Sequence, residues 1–162
     1  MIADPERETI LVYPSDEAEP LESLPGGDAA SKPYNIVVLD GTWMQAKMIY
    51  STNTMISALR CIKLNNTQRS HYVIRTQPTD TCLSTVEAVA AVLAHLEHNT
   101  TIIEALTKPL KAICDFQLEN GATAHQSKEF LITNGLYHKP LNKRVKKSLS
   151  LQQPIGFNDL LI

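Results

Sequence analysis

The densest group of residues that could do chemistry lies where an apolar run ends in Asp40-Gly41-Thr42-Trp43. In α/β proteins, ligands bind beyond the carboxyl ends of buried strands, and helix N-terminal amides hold anionic groups. A carboxylate such as Asp40 could there accept a substrate proton or orient a cationic ligand. The alternative is structural: Asp40 and Gly41 form a turn, Thr42 caps a helix through a capping box with Gln45, and Trp43 packs. The four residues alone leave both interpretations open.

Two later segments also combine polar residues with apolar ones. In the segment 72–78, Arg75 could clamp a carboxylate or phosphate through its planar guanidinium, or lie on the surface. In the segment 83–88, Ser84 and Glu87 have the spacing of a helix capping box, which explains both without a function. The sequence has no GxxxxGK[S/T] loop, no HExxH pair and no GxSxG elbow, so it excludes several common enzyme classes.

The charged residues are distributed unevenly, although the net charge is only −2. Residues 1–32 contain eight of the 17 acidic residues, whereas residues 121–162 contain six basic residues against two acidic ones. A basic segment can follow nucleic-acid phosphates by releasing their counterions. The candidate RNA-binding residues are Lys139, Lys143, Arg144, Lys146 and Lys147. The alternative is a solvated, unstructured end.

Composition indicates an ordinary globular chain of 162 residues, 43% hydrophobic and 20% charged. It contains no apolar run of the ~18–20 residues that a membrane span needs, and no signal-peptide core at its acidic N-terminus. We therefore expect a cytoplasmic location, with a nuclear one in addition, and no membrane partner. Cys61, Cys82 and Cys114 form no CxxC pair, so we predict neither disulfides nor a bound metal.

Hydrophobic periodicity predicts alternating strands and helices. Strands are predicted at 8–13, 34–39, 61–64 and 71–74, and helices at 42–51, 84–97, 101–120 and 125–133, with a short helix or turn at 53–59. The unbroken apolar run 34–39 is typical of a central strand covered on both faces. Pro109 should break or kink the fourth helix, and Gly121 should end it. Residues 14–33 read as a loop or disordered linker. This order of elements favours a layered α/β domain.

Together, these segments resemble the DTW-domain family, especially its eukaryotic tRNA-uridine aminocarboxypropyltransferase branch. The name refers to an Asp-x-Thr-Trp motif, present as Asp40-Gly41-Thr42-Trp43. Further similar blocks follow in order: Gln45-Ala46-Lys47, then 72–78, 83–88, 109–110, 116–118, 127–129 and 134–137. The resemblance covers roughly residues 34–140, and several ordered blocks are more specific than one motif.

The resemblance implies a SPOUT-like α/β fold with a knotted carboxyl half. It also implies an activity: transfer of the 3-amino-3-carboxypropyl group of S-adenosylmethionine to N3 of a tRNA uridine, which we expect to lie in the D-loop. The second product would be 5′-methylthioadenosine. Family members normally carry an upstream Cys-rich segment that this sequence does not contain. We therefore expect a domain that is incomplete on its N-terminal side.

The resemblance also assigns roles to residues of this sequence. Asp40 is expected to be the general base or to orient the donor, and Trp43 to shape the pocket or stack on a base. The remaining donor-binding candidates are Thr42, Arg75, Pro78, Thr85 and Glu87. We divide the chain into a strand with an acidic Pro/Gly-rich loop (1–33), a catalytic core (34–138) and a basic, flexible tail (139–162).

Two alternatives stay open at this point. One is an S-adenosylmethionine-dependent RNA methyltransferase with the same fold. The other is a truncated, non-catalytic RNA-binding protein. The sequence leaves the oligomeric state, the target uridine and the set of tRNAs undetermined.

Overall fold

A computed structural model of the protein describes residues 4–161, in which four parallel strands and seven α-helices form. The strands are β1 (Glu8–Val12), β2 (Glu19–Pro20), β3 (Tyr34–Val38) and β4 (Arg60–Lys63). The helices are α1 (Trp43–Thr52), α2 (Thr54–Ser57), α3 (Thr85–Leu96), α4 (Thr101–Glu119), α5 (Lys128–Thr133), α6 (Lys143–Ser150) and α7 (Phe157–Leu160). The α/β class predicted from the sequence is therefore confirmed.

The chain divides into two compact units. The first comprises the residues up to Asn66 together with Leu83–Leu110, and the second comprises Thr67–Cys82 and the residues from Lys111 onward. Each unit is thus built from two separate stretches of chain. The functional division at residues 33 and 138 made from the sequence is a different kind of boundary, and it stays a prediction.

The parallel sheet in the first unit has the strand order β2-β4-β1-β3 and is covered on both faces. Successive residues of a strand point to opposite faces, so Ile10 and Leu11 of β1 enter different clusters. Ile10 packs with Val92 and Leu96 of α3, and Leu11 packs with Ala46 of α1. Both β1 residues are completely buried, which makes β1 the core of this layer.

The prediction that residues 34–39 form a central strand is wrong in one respect. The strand exists as β3, in register with β1 through pairs such as Ile10–Ile36, but it lies at an edge of the sheet in the described part of the chain. All five of its residues are only partly buried. A continuous apolar run predicts a strand covered on its faces, and it carries no information on whether both edges are paired.

Residues 14–33 are more ordered than the predicted loop. They contain β2 and two short 3₁₀ helices, Leu21–Ser23 and Gly27–Ala29. Leu21 and Leu24 are buried beneath α3, and the Leu24 carbonyl lies 2.8 Å from Nε2 of His95. The prolines, glycines and acids of this segment indicated a linker, but its two leucines bury apolar surface and fix it to the core.

The structure also corrects the prediction of a strand at 71–74, which falls in the second unit. These residues form no strand. The Val73 carbonyl instead accepts a hydrogen bond from the His125 amide at 2.7 Å. A short Tyr-Val-Ile run suits a strand, but its backbone groups are satisfied equally well by a loop partner.

The predicted flexible tail at 139–162 is folded in the described residues. It contains α6 and α7, and Asn142 caps α6 by accepting a hydrogen bond from the Val145 amide at 2.9 Å. Val145, Ile155 and Leu160 pack with Ile132 of α5 in the core of the second unit. This amphipathic helix was not predicted because four basic residues surround its one buried valine, and the segment was interpreted by its charge.

The remaining helix predictions are largely correct. The helix α4 runs without interruption through Pro109, so the predicted break is wrong. At its end, Gly121 has φ +94° and the Ala122 amide donates to the Gln117 carbonyl at 2.9 Å, the hydrogen bond of a Schellman cap. Across the described residues, no helix is long and apolar enough to cross a membrane.

Candidate functional site

The Asp-Gly-Thr-Trp motif forms the sharp connection between β3 and α1. Gly41 has φ +144°, a conformation that side-chain-bearing residues rarely adopt. A Cβ atom at Gly41 would also lie 3.0 Å from Oε1 of Gln45. Glycine at this position lets the chain turn directly from the strand into the helix, which places Asp40 just before the helix N-terminus.

Two capping boxes hold the helix N-termini of this region. Thr42 Oγ1 accepts a hydrogen bond from the Gln45 amide at 3.2 Å, and Gln45 Oε1 accepts one from the Thr42 amide at 2.8 Å. Ser84 and Glu87 form the same arrangement at the start of α3. Both boxes are predicted by the sequence and both are confirmed. Each satisfies amide groups that the first turn of a helix leaves without partners.

A hydrogen bond joins the two helix starts. Thr85 Oγ1, in the first turn of α3, donates to Asp40 Oδ1 at 2.8 Å. The Asp40 carboxylate is exposed, and the positive ends of two helix dipoles lie close to it. Oδ2 of Asp40 has no hydrogen-bond partner within residues 4–161. The arrangement can hold a carboxylate in one orientation while leaving one oxygen for a substrate proton or a cationic ligand.

Glu87 and Trp43 lie at the same two helix starts. Glu87 is buried, and its Oε2 accepts hydrogen bonds from the Ser84 amide at 2.8 Å and the Ser84 hydroxyl at 2.6 Å. Trp43 occupies the first position of α1 and is partly buried. The structure therefore brings Asp40, Thr42, Trp43, Thr85 and Glu87 together in the first unit.

The other two donor-binding candidates, Arg75 and Pro78, belong to the second unit. Arg75 is exposed, and its guanidinium carbon lies 6.0 Å from the centre of the Tyr72 ring, within the range of a cation–π contact. Pro78 is buried, and its carbonyl accepts a hydrogen bond from the Glu129 amide at 3.0 Å. Arg75 thus offers a charge to a ligand, whereas Pro78 helps to fix the backbone beside it.

Cys82 lies at the end of the same stretch and is a plain buried thiol. Burial raises the pKa of Cys82, which outweighs the opposing effect of the hydrogen bond between its sulfur and Thr79 Oγ1 at 3.0 Å. A nucleophilic cysteine needs a lowered pKa. The environment of Cys82 therefore does not favour a nucleophilic role.

Comparison with known proteins adds the decisive observation. The profile of the DTW domain matches residues 1–118 of this chain. The chain belongs to the DTW-domain family. It is similar to tRNA-uridine aminocarboxypropyltransferase 2 of Drosophila melanogaster, with 46% identity over 142 residues, or 88% of this chain and 55% of that protein. It is also 45% identical, over 139 residues, to the protein of that name from Mus musculus, which covers 86% of this chain and 46% of the relative.

This DTW-domain chain therefore spans about half of the length of the curated relatives it matches. No solved structure gives a significant match to it. The predicted family membership is confirmed, on residues that include the Asp40–Trp43 motif and the α3 capping box. The relatives' names state an activity for those longer proteins.

The five candidate RNA-binding residues of the DTW-domain chain lie on and near α6. Lys139, Lys143, Arg144, Lys146 and Lys147 are all exposed, as their predicted role in binding RNA requires. Arg144 Nη1 lies 3.5 Å from Asp159 Oδ1, so part of its charge is balanced within the unit. Lys143 and Lys147 are four residues apart and therefore face the same side of the helix.

Arg69, Asp80 and His125, which were not among the predicted site residues, line a cleft in the second unit together with Arg75. No motif contains these three residues, and His125 is far from the others along the chain. Only the folded backbone places them together. For metals, residues 4–161 contain no group of three or more His, Cys, Asp or Glu side chains arranged to hold an ion.

Proposed function

We propose that this DTW-domain chain transfers the 3-amino-3-carboxypropyl group of S-adenosylmethionine to N3 of a tRNA uridine, in the D-loop, with release of 5′-methylthioadenosine. The proposal is supported by 45–46% identity to proteins named tRNA-uridine aminocarboxypropyltransferase 2. The single structural observation that carries it is the exposed Asp40 carboxylate, held by Thr85 at 2.8 Å between two helix N-termini.

The chemistry of the reaction gives Asp40 its role. N3 of uridine carries a proton near neutral pH and becomes a good nucleophile only when that proton leaves. The bond between N3 and the γ-carbon of the donor forms as the bond between that carbon and sulfur breaks, and the electron pair leaves with sulfur. The N3 proton passes to the Asp40 carboxylate, which acts as a general base. The donor must therefore present its γ-carbon, rather than its methyl group, to N3.

Other residues of the first unit would support Asp40. We propose that Thr42 and Thr85 bind beside the donor and that Trp43 shapes the pocket or stacks on a base. Glu87 would act indirectly, since its buried carboxylate already holds the start of α3. Substituting each residue separately would distinguish contact with the donor from support of the helix.

In the second unit, we propose that Arg75 pairs with a donor carboxylate or a tRNA phosphate and that Pro78 positions the backbone next to it. Arg75 suits this role because its guanidinium is exposed and can form two parallel hydrogen bonds with a carboxylate. Lysine at position 75 would keep the charge but lose that paired geometry.

The surface for tRNA would be the basic face of α6. Lys143, Lys146 and Lys147 are exposed on this helix, and Lys139 precedes it. Regularly spaced cations on a folded helix can track phosphates in a fixed register, which a flexible tail does not provide. We also propose the SPOUT-like knotted fold, a cytoplasmic or nuclear location, and function without a metal bound to this chain.

The test of the proposed function compares the wild-type chain with Asp40→Asn. The amide of the variant can still accept the hydrogen bond from Thr85, so its melting temperature should stay close to that of the wild type. Its rate of uridine modification should fall at least a hundredfold, on the order of the usual contribution of a general base. Asp28→Asn, an exposed acid of the first unit, is the matched control and should keep the wild-type rate.

Normal modification by Asp40→Asn would show that Asp40 is not the base. The two alternatives give different outcomes for the wild-type chain. A methyltransferase would add only a methyl group to the RNA. A non-catalytic RNA-binding protein would bind tRNA without binding S-adenosylmethionine or 5′-methylthioadenosine.

A further inference from the structure

The side chain of Gln45 folds back from the first turn of α1 over the Asp-Gly-Thr-Trp turn. Its Oε1 accepts a hydrogen bond from the Thr42 amide at 2.8 Å. A Cβ atom built on Gly41 would lie 3.0 Å from the same oxygen, 3.4 Å from the Cβ of Gln45 and 3.7 Å from its Cδ. Gln45 is therefore held against the residue that directly follows Asp40, and all three residues are exposed.

The hydrogen bond to Thr42 decides which end of the Gln45 amide stays available. A backbone N–H can only donate, so the carbonyl oxygen of the side chain must be the atom that faces Thr42. The NH2 group of Gln45 therefore points elsewhere, and its Nε2 has no hydrogen-bond partner among residues 4–161. Because Gln45 is exposed, this group can donate to a ligand.

The two capping boxes of the first unit differ at this position in a way that capping does not explain. At α3 the position is occupied by Glu87, which is only 6% exposed. Glutamate and glutamine both complete a capping box, and the positive end of the helix dipole favours glutamate. At α1 the residue is nevertheless the neutral Gln45. Compared with glutamate, it supplies a donor and keeps a second negative charge away from the proposed base, Asp40.

Asp40 and Gln45 leave one acceptor and one donor unoccupied at the same exposed turn. Asp40 Oδ1 accepts the hydrogen bond from Thr85 at 2.8 Å, so Oδ2 is the available acceptor. The available donor is Nε2 of Gln45. Uracil carries the complementary groups in adjacent positions, since its N3–H donor lies between two carbonyl oxygens. Cytosine instead has an acceptor at N3, which the Asp40 carboxylate would repel.

We propose that Gln45 recognises the target base, with Nε2 donating to a uracil carbonyl next to N3 while Asp40 accepts the N3 proton. The inference rests on the proposed function, since it takes N3 of uridine as the nucleophile. As the N3 proton leaves, negative charge spreads from N3 onto the adjacent carbonyl oxygens. A donor at one of these oxygens stabilises the reacting form more than the resting base. Gln45 therefore contributes both to the choice of base and to the rate.

Two substitutions of Gln45 separate this role from capping and from charge. Gln45→Glu keeps an oxygen for the Thr42 amide, but it loses the N–H donors and adds a negative charge. Gln45→Met is neutral and similar in length, but it loses both the oxygen and the donors. Gln117→Glu is the matched control, because it adds the same charge at an exposed position of α4.

The rate of tRNA modification at saturating S-adenosylmethionine should fall about a hundredfold or more in both Gln45 variants, the usual effect of removing one donor to a developing negative charge. The melting temperature should fall in Gln45→Met and stay close to that of the wild type in Gln45→Glu, which keeps the cap. Calorimetry without tRNA should give Gln45→Glu the wild-type affinity for S-adenosylmethionine, since Gln45 contacts the base. Gln117→Glu should keep the wild-type rate.

Two results would overturn the proposal. If Gln45 only caps α1, Gln45→Glu modifies tRNA at the wild-type rate. If the added charge alone slows the reaction, Gln45→Met modifies tRNA at the wild-type rate. Loss of the rate in both variants is expected only when the amide donor itself acts on the base.

The remaining outcomes separate this proposal from the proposed function. If the wild type transfers the aminocarboxypropyl group and both Gln45 variants keep its rate, the role of Gln45 is refuted and the function stands. If the wild type methylates uridine instead and both variants lose that activity, recognition of the base by Gln45 is supported and the proposed group transfer fails. A wild type that modifies no uridine overturns both.

Discussion

Replacing Ser84 with alanine should destabilise the chain more than replacing Thr42 with alanine, although both residues cap a helix through the same motif. The two boxes differ in the burial and charge of the partner at the third helical position. At α3 the partner is Glu87, which is only 6% exposed. At α1 the partner is Gln45, which is neutral and exposed. The pair therefore separates the contribution of the cap from that of the buried carboxylate.

The expected magnitudes follow from the hydrogen bonds that each substitution removes. Loss of a capping hydroxyl costs about 1 kcal/mol of unfolding free energy. Ser84 Oγ also donates to Glu87 Oε2 at 2.6 Å, and its removal leaves a buried carboxylate with one donor fewer. That loss adds at least about 1 kcal/mol. We expect about 2 kcal/mol or more for Ser84→Ala and about 1 kcal/mol or less for Thr42→Ala.

Urea unfolding followed by circular dichroism measures both free energies, and similar m values would show that the same transition is compared. Ser84→Thr is the matched control, since it keeps the hydroxyl and should retain most of the stability. Equal losses for the two alanine variants, or a larger loss at Thr42, would refute the reasoning that burial of Glu87 sets the cost.

Three further predictions concern other interactions. Thr85→Val should slow tRNA modification because Asp40 loses its hydrogen bond, and Thr85→Ser should restore the rate; an unchanged rate in the valine variant would contradict this role for Thr85. Replacing both Lys143 and Lys147 with glutamine should weaken tRNA binding. The slope of log K against log salt concentration should become less steep by about 0.9 for each duplex phosphate that the lysines no longer neutralise. An unchanged slope would show that this face of α6 does not bind tRNA phosphates. The hydrogen bonds from Arg60 lower the pKa of Glu19 below its ordinary value of 4.5, so the pair should stabilise the fold above that pH and lose this effect as the pH falls through the lower, folded-state pKa. Melting temperatures of the wild type and Arg60→Met, measured between neutral and acidic pH, test this prediction. If the difference in melting temperature between the two proteins does not change with pH, the pair does not contribute in this way.

Local features of the chain were readily predicted from the sequence. The capping boxes at Thr42 and Ser84 involve only residues within one turn of each other, so the sequence contains everything that decides them. The glycine cap at Gly121 is equally local, since this residue adopts a positive φ angle where a helix ends. The Asp40–Trp43 motif was recognised for the same reason, because strand end, turn and helix start are contiguous.

Features that depend on distant residues were missed. The stretch 71–74 has the composition of a strand, but its Val73 carbonyl bonds to His125, which the sequence does not place nearby. The position of β3 at the edge of the sheet was also missed. It depends on the pairing of β1 with both β3 and β4, which are distant from each other in the sequence. The cleft that contains Asp80 exists only because the backbone brings separated segments together.

Charge also obscured a folded segment. Four basic residues of α6 suggested a solvated tail, whereas one valine of that helix, Val145, is 1% exposed and sits in the core of the second unit. Burying a single apolar side chain contributes about 1.5–3 kcal/mol, enough to anchor a short helix whose other faces are polar. The basic residues are therefore displayed from a fixed helix.

The central claim is that the amino-acid chain of S-adenosylmethionine, and not its methyl group, is transferred to a tRNA uridine. The most direct measurement incubates unmodified tRNA with the full chain and donor labelled isotopically at either position, followed by mass spectrometry of the nucleosides. Label from the amino-acid chain should appear in a modified uridine, and the methyl label should stay in 5′-methylthioadenosine. Methyl label in the RNA, or no label from either position, would contradict it.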